Sequence, residues 1–495
     1  MKKYGGRLIM FQLIKDENKV YKNLLNGEWV SSSSGNYIEI YSPVDNSLLG
    51  KVQAMTKDEV DQAIASAKEA QLSWKNVTIN DRSNILYKAA NLLEEHTEEL
   101  AQLIMMEIGK DLKSCRSEVV RTADFIRFTA DSAKNISGET IRGDSFPGYK
   151  HNKVSVVSRE PLGVVLAISP FNYPVNLSAS KIAPAVVIGN TVVLKPATQG
   201  SLSGLFLARI FEMAGLPKGV LNTITGKGSE IGDYLTTHKE INFINFTGST
   251  EIGSEISKKV AMVPLLMELG GKDAAIVLKD ADLELTANNI VAGAFSYSGQ
   301  RCTAVKRILV VNEVADQLID LLKPRIEKLV VGSPLEHESV DVVPLISDKA
   351  ADFVWDLIED AINKGATVVT GVKREKNLIY PTLLDNVTED MRIAWEEPFG
   401  PVLPIIRVKD KDEAIKIANE SEFGLQSSVF TENINDAFYI ADQLVVGTVQ
   451  VNGKTERGPD HFPFLGVKSS GVGTQGIRYS IEAMSRLKAT VINLR

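Results

Sequence analysis

"TVVLKPATQGSLSGLFLARIFEMAGLPKGVLNTIT", residues 191–225, decides the fold class. It opens on a β-branched run, TVVLKPA. It then passes through SLSGLFLARIFEMAG, with apolar residues at helical spacing, and returns to a second β-rich run, VLNTIT. A strand, a helix and a strand in so short a stretch form a crossover unit whose two strands lie parallel. Working outward, GVVLAISP (163–170) precedes this unit and INFINFTG (241–248) follows it. Strands alternating with helices at this spacing predict a parallel, doubly wound α/β sheet. A second alternation runs from DAAIVL (273–278) through RILVV (307–311), ATVVTG (366–371) and VLPIIRV (402–408) to about residue 450. It predicts a second α/β lobe.

Residues 23–55 read as short strands broken by Ser/Gly and by a Pro-Val-Asp turn. Thr56 then opens a helix as a capping box with Glu59, and Val60, Ile64 and Ala67 follow at helical spacing. Helical periodicity is expected to continue through NILYKAANLLEEHTEELAQLIMMEIG (84–109), with Gly109 as the stop. Two segments stand apart: a polar β-excursion, ISGETIRGDSFPGYKHNKVSVVSREP (136–161), and a last strand, LKATVINLR (487–495). Exposed and unpaired within the chain, such segments are expected to complete a sheet with a second subunit.

The chain has 495 residues, which calls for two or three domains. Its 44% hydrophobic and 24% charged residues are ordinary for a globular protein. A net charge of −7 gives no global basic field to hold nucleic acid or an anionic membrane. No apolar run reaches the roughly 18 residues that span a bilayer. The start, MKKYGGRLIMFQLIKDENK, lacks the sustained apolar segment of a secretory signal, and either Met1 or Met10 serves as its natural beginning. Two cysteines, Cys115 and Cys302, make no disulfide framework and fit a reducing cytoplasm. The five histidines are scattered and no CxxC occurs, so no metal site is expected.

Four motifs carry chemistry. FTGSTEIG (246–253) follows a strand and opens a helix, where free N–H groups and the helix dipole favour a phosphate. A plain structural turn explains it equally well. YSGQRCTAVK (297–306) sets Cys302 beside Arg301, although a lone cysteine is more often a small buried hydrophobe. LLMELGGKDAAIVL (265–278) places Glu268 in an apolar setting, as a base or as half of an ion pair. ISPFNYP (168–174) holds Asn172 on a rigid loop, as an oxyanion donor or as an amide satisfying its own backbone. VQVNGKT (449–455) is not a P-loop, because Thr448 stands where that motif needs glycine, and no GxSxG occurs. Together the set supplies a thiol nucleophile, a carboxylate base, an amide donor and a phosphate-binding lobe. It suits thioacyl chemistry coupled to a nicotinamide cofactor.

From NGEWV (26–30) through PFNYP, LKPA, FTGST, MELGGK, GQRC and EEPFGP (396–401) to FPFLG (462–466), the chain resembles the aldehyde dehydrogenase superfamily almost end to end. The resemblance implies two Rossmann-like doubly wound α/β domains plus a β-strand oligomerisation element. These are a cofactor-binding domain at 1–138 and 160–270, a catalytic domain at 271–477, and an oligomerisation element at 139–159 and 478–495. It also implies Cys302 as nucleophile, Glu268 as the base that activates water, and Asn172 as oxyanion donor. A homotetramer, a dimer of dimers, follows from the same resemblance.

The segment KTERGPDHFPFLGVKSSGVGTQG (454–476) resembles the branch that oxidises glyceraldehyde 3-phosphate with NADP and without inorganic phosphate. Arg301 adjoins the nucleophile and that likeness places Arg121 and Arg457 around the same aldehyde pocket, where three guanidinium groups match a dianionic phosphate. Each arginine alone reads equally as a surface ion pair. Tyr173 and Thr303 join them as expected substrate contacts. In LKPAT, an acidic residue at the place of Thr198 would repel a 2′-phosphate, whereas Thr198 is neutral and Lys195 adds a positive charge, so NADP is expected over NAD. Ser169, Asp233, Gly248, Ser249, Glu397 and Phe399 match the family's other cofactor positions. Arg301 and the bound cofactor are expected to lower the Cys302 pKa. The rival reading is another aldehyde dehydrogenase, acting on succinic semialdehyde or lactaldehyde, or a CoA-acylating semialdehyde dehydrogenase whose product is an acyl-CoA.

Overall fold

The computed structural model describes residues 14–337 and 339–494; the choice between Met1 and Met10 lies outside the described residues. At its centre is a six-stranded sheet in the order Leu221–Thr223, Thr191–Pro196, Val164–Ser169, Phe243–Thr247, Leu265–Glu268 and Gly471–Val472. The first five strands are parallel; the short sixth closes the edge antiparallel. Thr191–Pro196 and Phe243–Thr247 are buried at every position, which is why they read as continuous apolar runs rather than alternating ones. Helices cover both faces, and every residue of the crossover helix Asn176–Ile188 is buried. Chain order reverses between Val164–Ser169 and Phe243–Thr247. The loops leaving those two strands diverge there and open a crevice at their carboxyl ends.

A second sheet has seven strands, ordered Thr367–Thr370, Thr382–Asp385, Val402–Val408, Arg307–Val311, Ala274–Val277, Gln426–Phe430 and Thr448–Val451. All pairs are parallel except the first, where Thr367–Thr370 runs against Thr382–Asp385. Of the strands named in this second alternation, ATVVTG is the one that runs antiparallel to its neighbour. Only a small hairpin, Arg374–Glu375 with Leu378–Ile379, separates the two strands. That connection is too short for the crossover a parallel pair requires. Ile276, Leu309, Ile405 and Phe430 form the middle of this sheet's core.

A third sheet sets Lys153–Pro161 between Glu139–Arg142 and Ser485–Asn493. The two excursions thus pair with one another, from Ser485 opposite Pro161 to Asn493 opposite Lys153. The expectation that they stay unpaired within the chain is corrected, because each backbone supplies the donors and acceptors the other needs. Ile141, Val156, Leu487 and Val491 remain exposed on this sheet.

The capping box at Thr56 is formed: Glu59 N–H donates to Thr56 Oγ1 at 3.2 Å and Thr56 N–H to Glu59 Oε2 at 2.8 Å. The helical run of 84–109 is two helices, Ile79–Glu95 and Thr97–Ile108, broken at His96. Thr97 Oγ1 donates to the Glu94 carbonyl at 2.7 Å, a local bond that competes with continuing the helix. Gly109 ends the second helix with φ 73°, a left-handed stop. Among the described residues no helix is long and apolar enough to cross a membrane.

Candidate active site

The crevice at the switch point is a cleft of about 740 Å³. Ser169, Asn172, Lys195, Asp233, Gly248, Ser249, Cys302, Glu397 and Phe399 all line it. They come from three strand ends of the first sheet, the helix Gly228–Thr236 and two loops of the second lobe, so the fold collects residues far apart in sequence. Thr198 does not line it. It follows Ala197, which does, and its carbonyl accepts the Ser201 hydroxyl at 2.7 Å just before the next helix.

One end of the cleft suits phosphates. Gly248 follows the strand Phe243–Thr247 directly, and a Cβ there would lie 2.6 Å from the Phe246 ring. Ser249 caps the helix Thr250–Lys259, its Oγ accepting from Ile252 N–H at 3.4 Å, so the helix presents its positive end to the cleft. Lys195 is 6% exposed, and burial pulls its ammonium down to about 8 with no acidic group offsetting the effect. An anion placed beside it would restore the full charge. Asp233 is an exposed rim residue whose carboxylate is already taken by Lys259 at 2.8 and 2.9 Å. These residues fit a phosphorylated dinucleotide.

Glu397 and Phe399 form the inner wall. Glu397 Oε1 accepts from Lys306 Nζ at 2.8 Å and from Gly271 N–H at 3.2 Å. Its other oxygen lies where a Cβ on Gly270 would come within 2.3 Å, so only glycine admits the carboxylate at that position. Phe399 adopts φ 48° and packs edge-on against Phe171, with ring centroids 5.9 Å apart.

The reactive end is built on a strained turn. Tyr297, Ser298 and Gly299 have φ of 52°, 55° and 69°, three consecutive left-handed residues before Cys302. The Ser298 hydroxyl donates to Val343 O and accepts Val343 N–H, both at 2.7 Å. Gln300 Oε1 accepts Ile346 N–H at 2.9 Å. Asn172 Nδ2 donates to the Gln300 carbonyl at 3.0 Å, which leaves its second N–H for another acceptor. Lys306 Nζ donates to the Cys302 carbonyl.

Cys302 is half-buried, and burial pushes its thiol up to about 12; Lys306 opposes this, while Glu268, Glu397 and Asp273 add to it. The expected lowering by Arg301 is corrected. The Arg301 guanidinium turns away to the Gly293 carbonyl, and its Nε is buried without a partner among the described residues. The cation that acts on the thiol is Lys306. Sequence reasoning passed over Lys306, although it stands four residues after the cysteine in the motif already quoted.

Glu268 ends its strand buried, and Thr247 Oγ1 donates to it at 3.1 Å. Arg457 Nη1 lies 3.2 and 3.1 Å from its two oxygens, and Arg457 Nη2 donates to Gln475 Oε1 at 2.8 Å. Arg121 grips Asp460 through Nε and Nη2 at 2.7 and 2.9 Å and also donates to the Arg457 carbonyl at 2.7 Å. The structure thus brings Arg121 and Arg457 together around Asp460, but leaves Arg301 out of that group. Arg457 and Asp460 also line a smaller pocket of about 190 Å³ with Phe462 and Phe464. Asp460 was missed; its only signal is its place three residues after Arg457. Thr303 is buried, and its carbonyl accepts the Thr455 hydroxyl at 2.9 Å, tying the nucleophile turn to the 454–464 segment. Tyr173 lies over Lys110, 3.5 Å from its ring centroid.

A doubly wound sheet with a dinucleotide-sized cleft, lined by a cysteine and an asparagine amide, defines a nucleotide-dependent enzyme of the oxidoreductase class. Comparison with known proteins agrees: residues 29–490 match the model of the aldehyde dehydrogenase family. This chain belongs to that family. It is 55% identical over 476 residues to an NADP-dependent glyceraldehyde-3-phosphate dehydrogenase of Streptococcus equinus, covering 96% of this chain and 99% of that one. It is 51% identical to the pea (Pisum sativum) protein of the same name, covering 97% and 96%. A solved structure of the Bacillus halodurans C-125 protein of that name, complexed with NADP, superimposes with a TM-score of 0.95 at 56% identity, covering 96% and 99%.

Proposed function

We propose that this chain oxidises D-glyceraldehyde 3-phosphate to 3-phosphoglycerate with reduction of NADP⁺, using water and no inorganic phosphate. The observation that carries the reading is the placing of Cys302 and Asn172 in one cleft with Lys195 and the Ser249 helix terminus. The relatives at 51% and 55% identity support the phosphorylated aldehyde over the unphosphorylated or CoA-linked alternatives.

Cys302, deprotonated, attacks the aldehyde carbon and forms a thiohemiacetal. The Asn172 amide and the Cys302 backbone N–H hold the oxyanion. Lys195, Ser249 and Glu397 would hold NADP⁺, which when bound supplies the hydride acceptor. Loss of hydride leaves a thioester on Cys302. Glu268 takes a proton from water as it attacks that thioester, breaking the carbon–sulfur bond and returning the thiol. To do so Glu268 must give up part of its contact with Arg457. Arg121 and Arg457, joined at Asp460, are the pair offered to the substrate phosphate. The cofactor-binding part at 1–138 and 160–270, the catalytic part at 271–477 and the β-element at 139–159 and 478–495 follow as the working division. Within it, Gly471–Val472 is lent back to the first sheet. A cytoplasmic homotetramer completes the reading, joined through the exposed apolar face of the third sheet.

The test is NADPH formation, followed at 340 nm, with D-glyceraldehyde 3-phosphate in buffer free of phosphate and CoA. Steady phosphate-independent turnover upholds the reading. Turnover only with an unphosphorylated aldehyde, or only after adding CoA, overturns it.

A further inference from the structure

Beneath the cleft lies a buried ion pair that the mechanism above does not use. Lys110 Nζ and Glu118 Oε2 are 2.7 Å apart, with side chains 2% and 1% exposed. Lys110 follows the Gly109 stop, and Glu118 is in the next helix, Leu112–Ala133. A buried pair is costly to desolvate, and an apolar pair of the same volume often serves stability as well. Its contacts therefore need to be read for what else they do.

Those contacts run to both reactive loops. Glu118 Oε1 accepts Val175 N–H and Asn176 N–H, both at 3.1 Å. These are the first amides of the helix Asn176–Ile188, which has no side-chain cap of its own, so Glu118 caps it from across the core. That helix begins directly after the loop carrying Asn172. The Lys110 ammonium lies 3.5 Å from the Tyr173 ring centroid and 5.2 Å from that of Tyr297. The two rings meet edge to face, 6.4 Å apart at 81°. Tyr173 adjoins Asn172, and Tyr297 opens the left-handed turn leading to Cys302. The Tyr297 hydroxyl donates to the Ile108 carbonyl at 3.2 Å, which returns that turn to the helix end beside Lys110. Burial pulls the Lys110 ammonium down, but the facing Glu118 carboxylate together with Tyr173 and Cys115 outweighs it and the net direction is up, so the clamp keeps its charge.

We propose that Lys110 and Glu118 are positioning residues for the reaction: they lock the oxyanion loop and the nucleophile turn in register, so that the Asn172 amide and Cys302 converge on one carbonyl oxygen. The proposal rests on the roles given to Asn172 and Cys302 above. Cation–π attraction at Tyr173 and a charged cap at Val175 and Asn176 hold the segment that follows Asn172, while the Tyr297 ring ties the nucleophile turn to the same ammonium.

The experiment is rapid-mixing measurement of the first-turnover NADPH burst in wild type, Lys110→Met, Lys110→Arg and Glu118→Gln, with melting temperature recorded for each. A positioning role lowers the burst rate constant of Lys110→Met at least about tenfold while the burst amplitude stays near one per active site. Lys110→Arg, which keeps a cation over both rings, recovers most of the rate. A merely structural role lowers the amplitude or the melting temperature and leaves the rate constant unchanged, which overturns the proposal. Should Lys110→Met not fold, Tyr297→Leu keeps the ion pair and removes one clamped ring; an unchanged burst rate constant there overturns it equally. Absence of any wild-type NADPH formation instead defeats the functional reading. The clamp is then judged by the rate of Cys302 alkylation with iodoacetamide, which Lys110→Met must alter at constant pH.

Discussion

Cys115 and Cys302 invite comparison, because burial pushes both thiols up and the two surroundings otherwise share little. Cys115 is wholly buried in a regular helix, with its sulfur 3.5 Å from the Lys110 carbonyl. Cys302 lies on a left-handed turn, half-buried and facing a cleft, with Lys306 acting on its thiol. A cation lies near each, since Lys110 also opposes the rise at Cys115. Charge alone therefore does not separate nucleophile from packing residue. Access and backbone aim do: one sulfur opens to a crevice where a carbonyl and an amide donor meet, and the other fills space.

The largest expected effect tests that contrast directly. Cys302→Ala abolishes turnover by a factor of at least about 10⁴, whereas Cys115→Ala retains it, as steady-state NADPH formation will report. Next comes Glu268→Gln. The first-turnover burst persists while the steady rate falls about 10²- to 10³-fold, since only the hydrolysis of the thioester loses its base. A loss of the burst as well would move Glu268 from base to scaffold.

Two smaller effects follow from titration. With its thiol near 12, cofactor-free Cys302 is alkylated by iodoacetamide at a rate that climbs about tenfold per pH unit from pH 7 to 9, with no plateau. A plateau near neutrality would mean that Lys306 outweighs burial. Lys195→Met weakens NADP⁺ binding about tenfold. The sign follows from its depressed ammonium: wild-type affinity is full below about pH 8 and falls above it as the proton is lost, while the variant is flat. Smallest of all, Cys115→Ala lowers stability by about 1 kcal/mol, read as a shift in the denaturant midpoint.

Much of this site was legible before folding. Cys302, Glu268 and Asn172 were each marked by motif, as were the glycine turn at Gly248 and the alternation of strands and helices. The errors share a cause. Arg301 was assigned by adjacency to Cys302, but neighbouring residues on a tight turn point in different directions, and its guanidinium reaches Gly293 instead. Thr198 was assigned by motif, and the lining of the cleft stops one residue short of it, at Ala197. The run 84–109 kept one helical period through His96 because periodicity does not register a local side-chain bond that ends a helix.

The sequence by itself determined the elements and the reactive groups, because periodicity, caps, glycine turns and residue chemistry are local properties. Only the tertiary structure decided the partners. Asp460 with Arg121, and Lys110 with Glu118 under Tyr173 and Tyr297, join residues that separate elements carry. Such pairings depend on where packed layers bring side chains within about 3–5 Å. That is a property of the closed core, and no spacing along the chain encodes it.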